Sequence, residues 1–136
     1  MDDALYMQLL HKPWVRGADG PAAFDCWGLV RHVYRVYRGV ELDKVTPDRY
    51  DTRALGATFF GNPAFRQWAR VDTPKHLDLV TMSRISKIDM HHCGLWMFND
   101  NGSVFHCAER IGVLRSSMQE LKMNGWQNLK FWRFIE

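Results

Sequence analysis

Three side chains in this sequence carry chemistry that their positions could combine. Cys26 follows Asp25 directly, and FDCWGLVRHVYR (24–35) reads as a helix that begins at that thiol. His92 and His106 stand in two short runs, HCGLW (92–96) and VFHCA (104–108), that read as neighbouring strands. A free thiol is mostly protonated at neutral pH. The partial positive charge of a helix N-terminus and a nearby imidazolium both favour the thiolate. One imidazole could pair with the thiol and later protonate a leaving amine, while the second orients its ring. The Cys26 amide, at the helix start, could help hold an oxyanion. The plain alternative is that Cys26 is a small buried residue filling a gap, and that each strand histidine is a satisfied polar group. The order Cys…His…His suits nucleophilic catalysis, but the residues alone leave both readings open.

These side chains must be positioned by local structure. Asp25 is a good N-cap, since its carboxylate can accept amide hydrogens of the first turn. Cys26, Val30, Val33 and Tyr37 follow at helical spacing, with Leu29, Val36 and Val40 widening the stripe and Gly39 as the stop. Gly28 inside the helix predicts close backbone packing. Upstream, residues 2–11 predict a short helix with Leu5, Leu9 and Leu10 on one side, ended by Pro13, and residues 16–23 a loop. Asn62 and Pro63 predict a short helix over NPAFRQWARV (62–71). LDLVTM (77–82), CGLWMF (93–98), SVFHCA (103–108) and KFWRFI (130–135) read as strands, with NDNG (99–102) as a hairpin turn. Ser117 and Glu120 form a capping box for a helix ending near Gly125. Helices first and a strand meander after them predict one α+β domain over 1–136, its N-terminal helices packed on an antiparallel sheet.

In that hairpin, His92 and Gly94 share a face, and His106 can share it with them. Cys93 and Cys107 then fall on the opposite face with His91. Gly94 would leave room there for the helix that begins at Cys26.

Composition narrows the function classes. With 136 residues, 46% hydrophobic and 24% charged, the chain has the balance of a soluble globular domain. A net charge of +3 without a basic run gives no footprint for nucleic acid. No stretch has the length of a membrane span. The N-terminus MDDALYMQLLHKPW lacks a basic-then-apolar signal pattern, which predicts synthesis and folding in the cytoplasm. The cysteines are odd in number, Cys26, Cys93 and Cys107, with no CxxC pair, so a disulfide framework is not expected. HHC at 91–93 and HC at 106–107 offer zinc ligands. Adjacent strand residues point to opposite faces, however, so few of them can converge, and no metal is expected. Trp68, Trp96 and Phe98 could line a substrate groove, with core packing the favoured expectation, and Arg31, Arg35 and Arg38 are expected on a solvated helix face.

The motifs together resemble the NlpC-type cell-wall cysteine peptidases, a compact papain-like family. PWVRGADGPAAFDCWGLV matches their aromatic-then-glycine loop and Asp-Cys-Ser-Gly-Phe/Leu-Val helix start. LDLV (77–80) matches Gly-Asp-Leu-Val, HCGLW matches His-Val-Gly-Ile-Tyr, and VFHCA matches the hydrophobic-His-Ala strand. The resemblance implies Cys26 as nucleophile, His92 as base and His106 as the orienting third residue. It places Trp14, Asp25 and Trp27 around the oxyanion and substrate site. It implies no cofactor and no metal, and a substrate among the stem peptides of bacterial peptidoglycan, cut beside D-glutamate or diaminopimelate. Three positions depart from the pattern: Trp27 for serine, Leu77 for glycine, and Trp14 for a tyrosine whose hydroxyl is thereby missing. The form Asp-Cys-Trp-Gly-Leu-Val resembles the branch found in phage tails and related particles. That branch implies other tail-tip proteins as partners and a virion location. Within it, a structural tail component that keeps the fold and acts mainly by docking is the alternative to an active peptidase.

Overall fold

The structure, a computed structural model, describes residues 3–45, 63–88, 90–98 and 101–135. Helix α1 spans Asp3–Leu9 and buries Leu5 and Leu9. Helix α2 spans Cys26–Val33 and continues as a single π turn over Tyr34–Arg38, stopped by Gly39 with φ 65°. The strands are β1 (Trp68–Val71), β2 (Leu79–Ser83), β3 (His92–Met97), β4 (Ser103–Ala108), β5 (Gly112–Ser117) and β6 (Gln127–Phe134). Helix α3 (Met118–Met123) joins β5 to β6. All six strands pair antiparallel in one sheet, in the order β1-β6-β2-β3-β4-β5. The α+β class with an antiparallel sheet is as expected. Strands β2 to β5 form the meander, and β6 returns to the far side of β2.

The two sheet faces differ. One carries Leu79, Cys93, Leu95, Phe105 and Cys107 against α1 and α2, where Leu29, Val30 and Val33 are fully buried. Each such aliphatic side chain contributes roughly 1.5–3 kcal/mol relative to exposure. The other face carries Val80, Met82 and Val104 beneath Leu121 of α3 and Trp126, a smaller cluster.

Several expectations are corrected. Tyr34, four residues after Val30 and so on the same helix face, is the buried aromatic, and its hydroxyl donates to the Leu77 carbonyl at 2.7 Å. Tyr37 and Val36, expected on the apolar stripe, are exposed. Only Pro63–Gln67 of the 62–71 helix is helical, as a 3₁₀ turn. Trp68–Val71 instead pairs with β6, because that pairing buries Trp68 against Tyr34 and Phe134. Asn62, its expected cap, and Asn99 and Asp100 of the NDNG turn lie outside the described residues. Strand β2 starts at Leu79 because Leu77 is left-handed (φ 70°) and the Asp78 carboxylate is tied to the Lys75 amide and to Arg133. Strand β5 was not expected at all. Phe98 is exposed rather than core. Arg31 is largely buried and bonds Asp19 at 2.6 Å, and Arg35 bonds Glu41, so neither is merely solvated. The Ser117–Glu120 capping box is present in full.

Candidate active site

The nucleophile end is built by Asp25. Its backbone is extended, and one carboxylate oxygen accepts the Gly28 amide at 2.6 Å while the other accepts the Gly17 amide at 3.0 Å. The same side chain therefore starts α2 and holds the preceding loop against it. Gly28 is required there: a Cβ would collide with the Ala18 carbonyl. Pro13 and Val15 bond to Phe24 on either side of Trp14, which keeps the half-buried Trp14 beside the segment leading into Asp25. Trp27 turns into the core, meets Trp68 edge-on and donates its indole N–H to the Asp43 carbonyl at 2.9 Å.

Cys26 is nearly buried at the first position of α2, and all three cysteines are free thiols. Its neighbours are the other two. Cys93 is hydrogen-bonded with Cys26, and Cys107 donates to the Phe24 carbonyl at 3.3 Å. Burial, followed by the hydrogen bond to Cys26, pushes the Cys93 thiol well above its ordinary range. Burial likewise pushes Cys107 up to about 12, reinforced by Cys26 and Asp25. Both therefore stay protonated, and Cys93 can donate to the Cys26 sulfur.

The histidines form a separate relay. His92 Nε2 and His106 Nδ1 are 2.8 Å apart, and His106 Nε2 lies 2.9 Å from Ser116 Oγ. The register explains the reach. Gly94 is paired with His106, and Val104 with Ser116, so each partner sits one step diagonally along its strand. A Cβ at Gly94 would meet Val104 Cγ1 at 2.7 Å and His106 Cβ at 2.8 Å. The space Gly94 provides is thus filled by β4, not by α2 as the sequence suggested, because α2 packs on the other face. When Ser116 Oγ accepts from His106 Nε2–H, His106 Nδ1 accepts from His92 Nε2–H. His92 Nδ1, which has no hydrogen-bond partner among the described residues, is then the basic nitrogen.

Trp126 covers this relay. Its ring stacks on His92 with centroids 4.6 Å apart and planes 20° apart, and the Arg84 guanidinium carbon lies 4.1 Å from an indole centroid. His91 also meets Trp126, at 5.2 Å, and its Nδ1 lies 3.1 Å from Ser83 Oγ. This corrects the expected placement of His91 on the far face: it precedes β3 in a bend, so strict strand alternation does not apply to it. Burial, then His106, His91 and Arg84, holds His92 well below the usual histidine range. Burial, with Arg84, brings His106 down to about 4.

The fold thus brings His92 to His106, and Cys26 to Cys93, the residue beside His92 on β3. No hydrogen bond joins Cys26 to His92 among the described residues. Among those residues no three His, Cys, Asp or Glu side chains converge as a metal site would need. Ser116, Trp126 and Arg84 were missed in the sequence. A strand over Gly112–Ser117 would have pointed to Ser116, and Trp126 stands just past the helix stop that the capping box implied.

Residues 11–132 match the model of the NlpC/P60 family. Among solved structures, the NlpC/p60 domain of peptidoglycan hydrolase SagA superposes with a TM-score of 0.60 at 18% identity, over 97% of each chain. A protein described as similar to lipoprotein, NLP/P60 family, from Staphylococcus aureus subsp. aureus Mu50 gives a TM-score of 0.57 at 18% identity. That match covers 100% of this chain and 43% of the other. No curated protein sequence matches. The fold is the compact papain-like one shared by these structures.

Proposed function

Since this chain belongs to the NlpC/P60 family of cell-wall cysteine peptidases, we propose that it hydrolyses stem-peptide amide bonds of bacterial peptidoglycan with Cys26 as nucleophile, His92 as acid–base residue and His106 as the residue that orients it. The observation that carries this reading is the His92–His106–Ser116 relay, which leaves the His92 Nδ1 lone pair open beside the β3 position that Cys26 touches. The reaction needs the Cys26 thiol to meet Nδ1 at the start of β3, where the two faces join; such contacts commonly tighten only in the substrate complex. Sulfur attacks the scissile carbonyl, the thiol proton passes to His92, and the α2 amides receive the oxyanion. His92 then protonates the departing amine, and water hydrolyses the thioester. Asp25 acts by fixing the start of α2, and Trp14 lies at the loop beside it. Trp27, turned into the core, anchors the helix rather than the substrate.

The bond lies beside D-glutamate or diaminopimelate, and the setting is a phage or phage-like tail tip, with other tail-tip proteins as partners. The Asp-Cys-Trp-Gly-Leu-Val form of the nucleophile motif supports that setting. The rival is a docking component with little activity, favoured by Cys26 bonding to Cys93 rather than to His92. Incubation of purified protein with defined peptidoglycan fragments, read by mass spectrometry beside a Cys26→Ala control, tests the reading. A new amine and carboxylate pair that the control does not produce supports it; intact fragments in both would favour docking.

A further inference from the structure

Trp126 has no part in the proposed reaction, yet it is built with unusual completeness. The capping box starts α3, and a Schellman ending stops it: Gly125 is left-handed (φ 85°), its amide bonds Lys122, and the Trp126 amide bonds Leu121 at 2.9 Å. Arg84 Nε donates to the Asn124 carbonyl at 3.0 Å, and Gln127 donates to the Arg84 carbonyl at 3.1 Å. The turn and Arg84 therefore hold each other. One indole thus has the His92 ring stacked on it and the Arg84 guanidinium within cation–π distance of it. We propose that Arg84 and Trp126 form a cap over His92 that fixes its ring plane and keeps water from its hydrogen bond to His106, making both positioning residues for the acid–base step.

The proposal rests on His92 being the acid–base residue. A stacked imidazole can slide but not tip, so Nε2 stays on His106 and Nδ1 keeps one direction. The cap also bears on protonation. The charged or titratable groups acting on His92 are His106 on β4, His91 before β3 and Arg84 after β2, all cationic when charged. Cys26 is the acid that the reaction brings to it. With water excluded and cations around it, His92 stays neutral, and so competent as a base, into mildly acidic solution.

The test compares Trp126→Ala, Trp126→Phe and Arg84→Met with the native protein. Two quantities are read: the His92 imidazole titration by NMR, and kcat and KM across pH on a peptidoglycan fragment that the native protein cleaves. Trp126→Ala should raise the His92 midpoint by about one pH unit, move the acid limb with it, and lower kcat about tenfold with KM little changed. Trp126→Phe should restore most of each. Arg84→Met, at an exposed position and keeping an unbranched stem, should shift the midpoint the same way by less, and it serves if Trp126→Ala fails to fold. An unmoved midpoint with only a lower melting temperature would make Trp126 plain core and overturn the cap. A raised KM at constant kcat would make it a substrate wall and overturn it too. If the midpoint shifts in a protein that cleaves no fragment, the cap stands and the peptidase reading falls.

Discussion

The two faces of the sheet handle their polar groups in opposite ways. On the α2 face, Cys93 and Cys107 are embedded in aliphatic and aromatic packing, and only Cys26 stands at a helix terminus. On the α3 face, a thinner cluster surrounds hydrogen-bonded imidazoles and a serine, roofed by one indole. An apolar face suppresses ionisation chiefly by burial. A polar face of the same sheet must satisfy each donor, and so it specifies a geometry. Reactivity in this protein is therefore expected where the faces meet, at the start of β3.

The sharpest way to break that division is to remove one group from each side of it. Cys26→Ala and His92→Ala should each reduce fragment cleavage to background, with folding checked by circular dichroism, while His91→Ala stays active. A dead His91→Ala beside an active His92→Ala would exchange the roles of the two histidines. Thiol labelling sharpens the contrast within the α2 face. At neutral pH, iodoacetamide should modify Cys26 at least about a hundredfold faster than Cys93 or Cys107, whose burial keeps them protonated. Site-resolved mass spectrometry gives the rates, and faster reaction at either strand cysteine contradicts the assignment.

Within the α3 face, His106→Gln retains a hydrogen-bonding group and should lose on the order of ten- to a thousandfold in kcat/KM. Ser116→Ala, one bond further out, should lose less than about tenfold in the same assay. A separate expected effect is thermodynamic. His106 has a folded pKa of about 4 against 6.5, so the unfolded chain binds the proton first. Stability is whole above pH 6.5 and declines as pH falls toward 4, by an amount on the order of 3 kcal/mol from this group. His92 acts in the same direction. Urea midpoints between pH 7 and 4 should show the decline, and His106→Gln should flatten it; an unchanged slope would remove His106 as its source.

Where local rules operate, the sequence could be read directly. Asp25 before Cys26, Ser117 with Glu120, and Gly39 and Gly125 as stops depend on residues a turn apart, and each stands in the structure as expected. The pairing of His92 with His106 follows from period-two alternation across one hairpin, which is nearly as local. The rest required contacts between distant segments. Trp68–Val71 is a strand only because β6 lies beside it, and Gly112–Ser117 only because β4 does. Alternation divides a strand into two faces but cannot say which face a helix will cover, so it left the space at Gly94 to α2 when β4 fills it. Ser116 and the Arg84–Trp126 cap come from separate stretches of chain, and their meeting at His92 and His106 is a property of the folded sheet and its turns alone.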